Sequence, residues 1–327
     1  MRVGLGIPPV GLPIELCTDI VRQAEERGFD SIWVGEAWGT ESCTLVSALL
    51  ARSQRIHVGT GIVSLHLRPP TLTAMQAATL DLTAPGRARL GLGVSTRNIN
   101  TFHGIPWDHP VSRTREYVLI MRQVLAGERV TYKGKFYRPR GFQLSMPAPQ
   151  RLPIYLAAVN PQMLQLAGEV ADGVLLAWLP AAQVPHSLAE IARGAQRAGR
   201  SLADIDLGCY IHTAVTHDYE QTLKQLRRVL VGYCQANTYI QGFRRFGYSD
   251  ILAEVHGRWQ AGDRAGAEAA IPERMVEDLY VFGTAEECRT HIGRFVQAGI
   301  QLPVVAAPPS SRLTGDDFHA LLGAFGQ

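Results

Sequence analysis

Short apolar runs alternate with helix-type patterns along nearly the whole chain, and this alternation restricts the fold more than any other feature. The runs are continuous rather than interrupted by a polar residue at every second position, which is typical of parallel strands covered by helices on both faces. A doubly wound sheet usually has fewer strands and a sequence break between its halves, so eight such units favour a closed (β/α)8 TIM barrel. The predicted strands are residues 3–7, 31–34, 56–63, 89–93, 153–157, 174–178, 207–215 and 302–307.

Helices between these strands are predicted from apolar spacing and from residues that start or end helices. Asn160 followed by Pro161 is typical of a helix start, because asparagine caps a helix and proline fits its first turn. Thr284 and Glu287 have the spacing of a capping box, which predicts a helix from that point. The third helix is marked by four residues at helical spacing, namely Leu72, Met75, Thr79 and Leu82.

The chain is predicted to form a single domain over residues 1–327, because no linker rich in glycine, serine or proline divides it. Residues 128–152 carry turn residues and are expected to form a loop or a small hairpin. The segment 216–283 separates the seventh strand from the final helix-and-strand unit by far more than the usual ~2–6 residues. Its mostly helical pattern predicts an insertion over the mouth of the barrel.

The composition excludes several classes of protein. Charged residues make up 19% of the 327 residues, and 32 lysines and arginines against 29 aspartates and glutamates give a net charge of +3. A dedicated nucleic-acid-binding protein is usually far more basic, so no nucleic-acid partner is expected. No apolar run approaches the ~20 residues that cross a bilayer, and the first residues do not resemble a signal peptide. The sequence therefore predicts a cytoplasmic protein without a membrane partner.

The cysteines and histidines show no spacing that suits a metal site, so no metal is expected. The cysteines are scattered and lack a C-x-x-C pair, which predicts buried free thiols in a reducing compartment. They are Cys17, Cys43, Cys209, Cys234 and Cys288.

The glycine motifs argue against two common kinds of site and in favour of a third. Gly91-x-Gly93 lacks the third glycine of a dinucleotide fingerprint, since position 96 is threonine. No G-x-S-x-G is present, so a serine-hydrolase elbow is not expected. Gly59-Thr60-Gly61 lies inside the third strand, where glycine weakens a strand unless a bulge or the close approach of a ligand requires it. This pair of glycines predicts a bulge whose backbone presses on a flat ligand.

Candidate site residues follow the predicted strands, because the active site of a TIM barrel lies at the carboxyl ends of its strands. They are Glu36 and Trp38 after the second strand, His66 and Arg68 after the third, Ser95 and Thr96 after the fourth, Val159 and Asn160 after the fifth, and Trp178 after the sixth.

Several blocks of the sequence resemble the bacterial luciferase-like flavin oxidoreductases. The blocks are residues 30–36, 55–62, 77–93 and 153–173. The last block is similar to the branch of this family that uses a deazaflavin, which includes methylene-tetrahydromethanopterin reductases and glucose-6-phosphate dehydrogenases. The resemblance covers about residues 1–180 and the final strand-and-helix unit, and it implies a (β/α)8 barrel with a flavin-type ring at its mouth.

The resemblance also implies where a cofactor binds. In the deazaflavin branch a cis peptide bond in the third strand bulges against the ring, and by position this bond is Gly61–Ile62 here. The cofactor phosphate is expected at the backbone of Val159 and Asn160, ahead of a helix N-terminus that suits an anion. The expected cofactor-binding residues are Gly61, Ile62, Ser95, Thr96, Ala158, Val159, Asn160, Ala177 and Trp178.

The chain departs from its relatives at two places. Val159 and Asn160 stand where relatives commonly have two glycines, so the phosphate loop is expected to be altered. Ala37 stands where the family frequently has a catalytic histidine, so the sugar-phosphate dehydrogenase chemistry is not expected. Glu36 and His66 are predicted to be the catalytic residues, one of them exchanging the proton that accompanies hydride transfer. The expected substrate-binding residues are Trp38, Tyr233, Tyr239 and Arg244. The two tyrosines and Arg244, together with Arg245, are expected to meet either the substrate or an anionic tail of the cofactor.

The leading functional hypothesis is an oxidoreductase that transfers a hydride between coenzyme F420 and a small organic substrate. The first alternative is an FMN-dependent luciferase-like monooxygenase, which uses dioxygen and reduced flavin from a partner reductase. The second alternative is a non-catalytic flavin-binding protein. It is considered because Ala37 replaces the histidine that is frequently catalytic in the family. A homodimer packed through its outer helices is expected, because relatives are usually dimers of that kind.

Overall fold

Eight barrel strands close into a parallel barrel, which confirms the fold predicted from the alternating pattern. The computed structural model describes residues 1–146, 152–309 and 313–327. The sheet closes because the final strand, residues 302–306, pairs in parallel with the first strand, residues 4–7, and with the strand of residues 206–215. Within the described residues the strands are β1 (Gly4–Ile7), β2 (Ser31–Val34), β3 (His57–Thr60), β4 (Val63–Ser64), β5 (Ala88–Gly93), β6 (Ile154–Ala157), β7 (Gly173–Ala177), β8 (Asp206–Val215), β9 (Val281–Gly283) and β10 (Leu302–Ala306).

Helices follow the barrel strands and cover the outside of the barrel. Pro161 begins a helix directly after Asn160, and Thr284 with Glu287 forms the predicted capping box. The α-helices in the described parts of the chain are α1 (Ile14–Glu26), α2 (Ser42–Leu50), α3 (Pro70–Thr83), α4 (Arg97–Phe102), α5 (Pro110–Leu125), α6 (Pro161–Val170), α7 (Val184–Arg197), α8 (Tyr219–Tyr233), α9 (Asn237–Arg245), α10 (Ser249–Gln260), α11 (Arg264–Ala269), α12 (Glu273–Leu279), α13 (Ala285–Gln297) and α14 (Gly315–Phe325).

Helix α3 lies where it was predicted, but the face it buries is not the one that its large apolar residues mark. Leu72 and Met75 are each 42% exposed and Leu82 is 55% exposed, and Thr79 is exposed as well. The buried face of α3 consists of smaller residues, which let the helix lie close to β5 and α5. These buried residues are Pro70, Thr73, Ala74, Ala77, Ala78 and Leu80.

The apolar core is divided into three parts. The largest lies between the barrel strands and the outer helices. A small core fills the inside of the barrel, where Trp33 and Tyr155 make an edge-to-face contact with ring centroids 4.9 Å apart. A third core consists of Trp178 and residues of the segment 216–283. Because side chains fill the barrel interior, a ligand has room only above them, at the carboxyl ends of the strands.

The segment 216–283 is mostly helical, as predicted, but it also contains a strand that the sequence pattern did not reveal. It comprises α8 to α12 and ends in β9, which extends the sheet by pairing in parallel with residues 213–215 of β8. A strand of three residues is too short to show a period of its own, and only its pairing with β8 defines it. The segment meets the carboxyl ends of the barrel strands, because Arg245 binds Asn160 after β6 and Tyr233 contacts Trp178 after β7.

The region after α5 and the cysteines agree with the sequence-based predictions. A bridge between Val130 and Phe142 gives residues 128–152 the hairpin character that was predicted, although residues 147–151 lie outside the described residues. All five cysteines are buried and free, as predicted. Among the described residues, none of the helices combines the length and the apolarity that a membrane crossing requires.

Candidate active site

The third barrel strand is interrupted at the mouth of the barrel, between β3 and β4. Gly61 and Ile62 lie at the interruption and are joined by a cis peptide bond, as the resemblance implied. Both residues are partly exposed, whereas Thr60 and Val63 on either side are buried. Gly61 packs against the hydroxyl of Tyr210, and a Cβ at position 61 would overlap that hydroxyl. Only glycine fits at this position, which explains one of the two glycines noted in the third strand.

The side chain of Ile62 lies over β5, where two glycines leave room for it. A Cβ at Gly93 would come within 2.8 Å of Cδ1 of Ile62, whereas a Cβ at Gly91 would overlap the backbone carbonyl of Thr60 in β3 and lie 3.2 Å from Cγ2 of Ile62. The Gly91-x-Gly93 pattern, which is not a dinucleotide fingerprint, therefore permits the close approach of Thr60 and Ile62 to the neighbouring strand. The predicted bulge in the third strand is confirmed, and the glycines of β5 belong to the same feature.

His66 lies in the loop after β4 and has one ring nitrogen without a partner. Its Nε2 lies 3.3 Å from the backbone carbonyl of Asp108, and its ring stacks on Trp107 with centroids 6.2 Å apart. Its Nδ1 is buried and has no hydrogen-bond partner among the described residues. Burial lowers the pKa of His66 below its usual value, against a smaller opposing effect of the Asp108 carbonyl. The ring is therefore neutral near pH 7, with Nε2–H donating to Asp108 and Nδ1 left as an acceptor.

Further polar atoms without partners lie at the end of β4 and after β5. Oγ of Ser64 and both amide atoms of Asn100 are buried without a hydrogen-bond partner in the described part of the chain. Asn100 lies on α4, which Thr96 caps by accepting a hydrogen bond from the backbone N–H of Ile99. Ser95, just before this cap, has a φ of 54°, which residues other than glycine rarely adopt. Buried polar groups without partners are uncommon in folded proteins, so their concentration here suits a polar ligand.

Glu36 is bound by Arg68 through both of its carboxylate oxygens. The two N–O distances are 2.6 Å each, and the side chains of Glu36 and Arg68 are 9% and 12% exposed. The same guanidinium also donates to Glu41, and Oε2 of Glu36 accepts from the backbone N–H of Ser42 at the start of α2. Glu36 therefore lies at the end of β2, as predicted, within a network that fixes the loop between β2 and α2.

The N-terminus of α6 is in contact with Arg245 of α9. Asn160 occupies the cap position, but its side chain does not cap the helix, because its Oδ1 accepts from Nη2 of Arg245 over 3.0 Å. The same nitrogen lies 3.3 Å from the carbonyl oxygen of Val159. A guanidinium beside a helix N-terminus attracts an anion. Arg244 is exposed, and Ala158 is buried.

Aromatic rings from the strand ends and from the segment 216–283 form one cluster around Trp178, which follows β7. Trp178 is 5% exposed. Its backbone φ of 57° is unfavourable for a residue other than glycine, so the packing of the surrounding rings must stabilise it. The cluster brings together three of the predicted site residues and adds two more. The distances from the ring centroid of Trp178 are 3.9 Å to Tyr233, 5.8 Å to Tyr239, 4.4 Å to His212 and 5.5 Å to Tyr280.

Trp38 lies apart from this cluster, on the rim of the barrel. Its side chain is 72% exposed and makes an edge contact at 6.0 Å with the ring of Phe102, which is 69% exposed. Trp38 therefore projects from the rim and does not line an enclosed pocket. Ala177, the last residue of β7, is partly exposed next to Trp178.

Tyr210, His212 and Tyr280 were not among the predicted site residues. Tyr210 and His212 occupy alternate positions near the carboxyl end of the seventh barrel strand, so their side chains leave the same face of the sheet. That alternation was a usable signal, because a barrel strand directs every second residue inward. Tyr280 precedes β9 in a region without a recognisable motif, and no signal in the sequence identifies it.

The chain matches the sequence profile of the Luciferase-like monooxygenase family over residues 6–302. A protein of Mycobacterium tuberculosis, named as a candidate coenzyme F420-dependent oxidoreductase, is 30% identical, with 94% of this chain and 95% of that protein covered. A 5,10-methylenetetrahydromethanopterin reductase of Methanolobus tindarius is 27% identical, with 90% and 91% covered. The structure of the coenzyme F420-dependent tetrahydromethanopterin reductase from Methanopyrus kandleri superposes with a TM-score of 0.84 at 23% identity, over 99% of this chain and 97% of that one.

The chain belongs to the luciferase-like monooxygenase family, since the profile covers most of its length. It is an enzyme of the oxidoreductase class, like the relatives that match nearly the whole chain. The alternative of a non-catalytic flavin-binding protein is thereby set aside. The superposition with the Methanopyrus kandleri structure independently supports the (β/α)8 fold.

Proposed function

We propose that this oxidoreductase transfers a hydride between coenzyme F420 and a small organic substrate. The observation that carries the proposal is the interrupted third strand, which exposes the backbone of Gly61 and Ile62 at the mouth of the barrel. Relatives named for their use of coenzyme F420 match nearly the whole chain and support the same cofactor. When bound, the deazaflavin supplies a ring carbon that accepts or donates the hydride.

The residues at the mouth fit such a cofactor. Gly61 and Ile62 are partly exposed at the mouth, so their backbone is available to the face of a flat ring. Arg245 and the N-terminus of α6 supply positive potential for a phosphate group. Ser64 and Asn100 hold buried polar atoms whose hydrogen-bonding capacity is unused within the described residues, and these would meet polar atoms of the cofactor.

His66 is the residue that we assign to proton exchange. The hydrogen bond from Nε2 to the carbonyl of Asp108 fixes the tautomer, so Nδ1 accepts a proton in one direction of the reaction and returns it in the other. The lowered pKa keeps His66 in its neutral, proton-accepting form near pH 7.

Glu36 is assigned a positioning role at the same mouth. Both of its carboxylate oxygens already accept hydrogen bonds from Arg68, and one of them also accepts from the backbone of Ser42. A carboxylate engaged in this way orients the loop after β2 and contributes negative charge, whereas His66 keeps a free nitrogen for proton exchange.

Identification of the cofactor tests the proposal. The purified protein is titrated with coenzyme F420 and with FMN, and binding is followed by the fluorescence of each compound. We expect tighter binding of F420, and oxidation of reduced F420 under anaerobic conditions when a reducible substrate from a chemical panel is added. If the protein instead binds FMN in preference and consumes dioxygen only with reduced FMN, it is a flavin-dependent monooxygenase that requires a partner reductase.

A further inference from the structure

Two neighbouring rings of the aromatic cluster around Trp178 each carry a buried polar atom that has no hydrogen-bond partner in the described structure. They are Oη of Tyr280 and Nδ1 of His212, and the centroids of the two rings are 6.0 Å apart. Neither atom has a hydrogen-bond partner among the described residues. Tyr280 is 1% exposed, so bulk water does not satisfy its hydroxyl. Because an unpartnered buried hydroxyl or imidazole lowers stability, two of them together call for a ligand that satisfies both.

Tyr280 and His212 lie at the mouth of the barrel. His212 lies in register with Ala306, the last residue of β10, and leaves β8 on the same face as Tyr210, which packs against Gly61. Tyr280 lies between α12 and β9, so it belongs to the segment that covers the strand ends. The pair therefore joins the barrel and the segment 216–283 beside the indole of Trp178.

Both groups are uncharged near pH 7. Burial lowers the pKa of His212 to about 4, against a smaller opposing effect of the Ala307 backbone, and burial raises the pKa of Tyr280 well above its usual value. Trp178, Tyr233 and Cys234, which lie near Tyr280, are uncharged as well. A neutral oxygen atom suits this environment, whereas a carboxylate or phosphate would be desolvated without a compensating cation.

We propose that Tyr280 and His212 form a two-point binding site for the oxygen of a ketone, aldehyde or alcohol group of the substrate, with the apolar body of the substrate against Trp178. The hydroxyl of Tyr280 donates to a carbonyl or an alcohol oxygen. Nδ1 of neutral His212 accepts from an alcohol hydroxyl in one tautomer and donates to a carbonyl in the other. The pair can therefore hold such a group in its oxidised and in its reduced form. This inference rests on the proposed function, because it names the substrate class for the same site.

The substitution Tyr280→Phe tests the inference, because it removes only the hydroxyl. The probe is acetophenone, and α-methylstyrene serves as a probe of the same shape in which a methylene group replaces the oxygen. Binding of each probe is measured by calorimetric titration, with and without F420. For the wild-type protein we expect tighter binding of acetophenone. In Tyr280→Phe we expect acetophenone to bind about 5–10-fold more weakly, as for one lost hydrogen bond, and α-methylstyrene to bind as before.

Thermal unfolding gives a second readout that separates binding from structure. Since the hydroxyl of Tyr280 has no partner in the described part of the chain, Tyr280→Phe should not lower the unfolding midpoint. The control is Tyr117→Phe, which breaks a buried hydrogen bond to Thr73 outside the site and should lower the midpoint without affecting either probe. His212→Phe removes the other binding point and should also weaken acetophenone selectively.

Two results would overturn the inference. One is a wild-type protein that binds the two probes equally well. The other is a Tyr280→Phe variant that keeps the preference for acetophenone. If the unfolding midpoint of this variant also falls, as in Tyr117→Phe, the two side chains bind a structural water instead of the substrate. Failure of the proposed function has a different signature, because it appears as absent F420 binding while the comparison of the two probes stays intact.

Discussion

Arg68 binds Glu36 through both of its Nη atoms, with N–O distances of 2.6 Å, and so joins the loops that follow the second and third barrel strands. Both side chains are largely buried, so each charge depends on the other for compensation. Glu41 accepts from the same guanidinium but is 43% exposed, so it compensates the charge less effectively. The ion pair is therefore a structural element of the barrel mouth.

The substitution Glu36→Gln should destabilise the protein by about 2–4 kcal/mol, because it leaves the buried guanidinium of Arg68 without its main partner. Urea unfolding measures this loss. The control is Glu26→Gln, which breaks an ion pair with Arg22 in which both side chains are 57% exposed and should cost less than about 1 kcal/mol. A Glu36→Gln variant with wild-type stability and no turnover would instead show that Glu36 exchanges the proton.

The substitution Gly61→Ala should weaken F420 binding at least about tenfold, because the new Cβ overlaps the hydroxyl of Tyr210 and displaces the bulge. In the double variant Gly61→Ala with Tyr210→Phe, part of the affinity should return, since the overlapping atom is gone. Gly293→Ala in α13 is the control, because its Cβ meets nothing within 4 Å and should leave binding unchanged. Equal affinities in all variants would contradict contact between the bulge and the cofactor.

The barrel and its bulge could be predicted because their signals are local. Apolar runs define the strands, and Gly61 marks the interruption because only glycine tolerates the approach of Tyr210. The buried face of α3 could not be predicted, since burial there depends on how closely the helix lies on the barrel and small residues permit the closest approach. Leu72 and Met75 have the spacing that marks the helix, but both are exposed.

The site could be predicted only in part, because it depends on residues that are distant in the sequence. Asn160 has the local features of a helix cap, yet its side chain binds Arg245, which lies 85 residues away in the chain. Trp178 was recognised as a strand-end residue, but its contacts with His212 and Tyr280 arise only from the packing of the segment 216–283 on the barrel. Such contacts carry no periodic signal in the sequence.

The substitution Arg245→Gln should weaken F420 binding about tenfold, because it removes the cation beside the N-terminus of α6. The difference from wild type should shrink at high salt, where electrostatic attraction is screened. Arg244→Gln is the matched comparison, since Arg244 is the neighbouring arginine, is exposed like Arg245, and makes no such contact in the described structure. An equal effect of the two substitutions on cofactor binding would show that only net charge matters.

The exposed apolar residues of α3 should form part of a homodimer interface. Leu72, Met75 and Leu82 lie on the outside of the barrel, together with Leu119 of α5, which is 41% exposed. Large apolar side chains that are exposed along one face of a helix often mark an interface. The double variant Met75→Glu with Leu82→Glu should therefore sediment as a monomer where the wild type sediments as a dimer. As a control, substitution of the exposed Val296 on α13 by glutamate should leave the dimer intact. A wild-type protein that sediments as a monomer would refute the dimer interface.

The stability of the protein should fall as the pH decreases below 7, because buried histidines are neutral in the folded state. The pKa of His212 is about 4 when folded and about 6.5 when unfolded, so the unfolded chain binds the proton first. Its contribution is complete above the unfolded pKa and is lost as the pH falls from there towards 4. Between pH 7 and pH 5 this loss amounts to about 2 kcal/mol, and the lowered pKa of His66 acts in the same direction.

Urea unfolding at several pH values between 7 and 5 measures this dependence, because most carboxylates do not titrate in that range. His212→Phe should show a clearly shallower decrease in the free energy of unfolding than the wild type. His103→Gln, which changes an exposed histidine, should keep the wild-type slope. If His212→Phe keeps that slope as well, His212 must take up its proton in the folded protein, and its environment at the barrel mouth is then open to water.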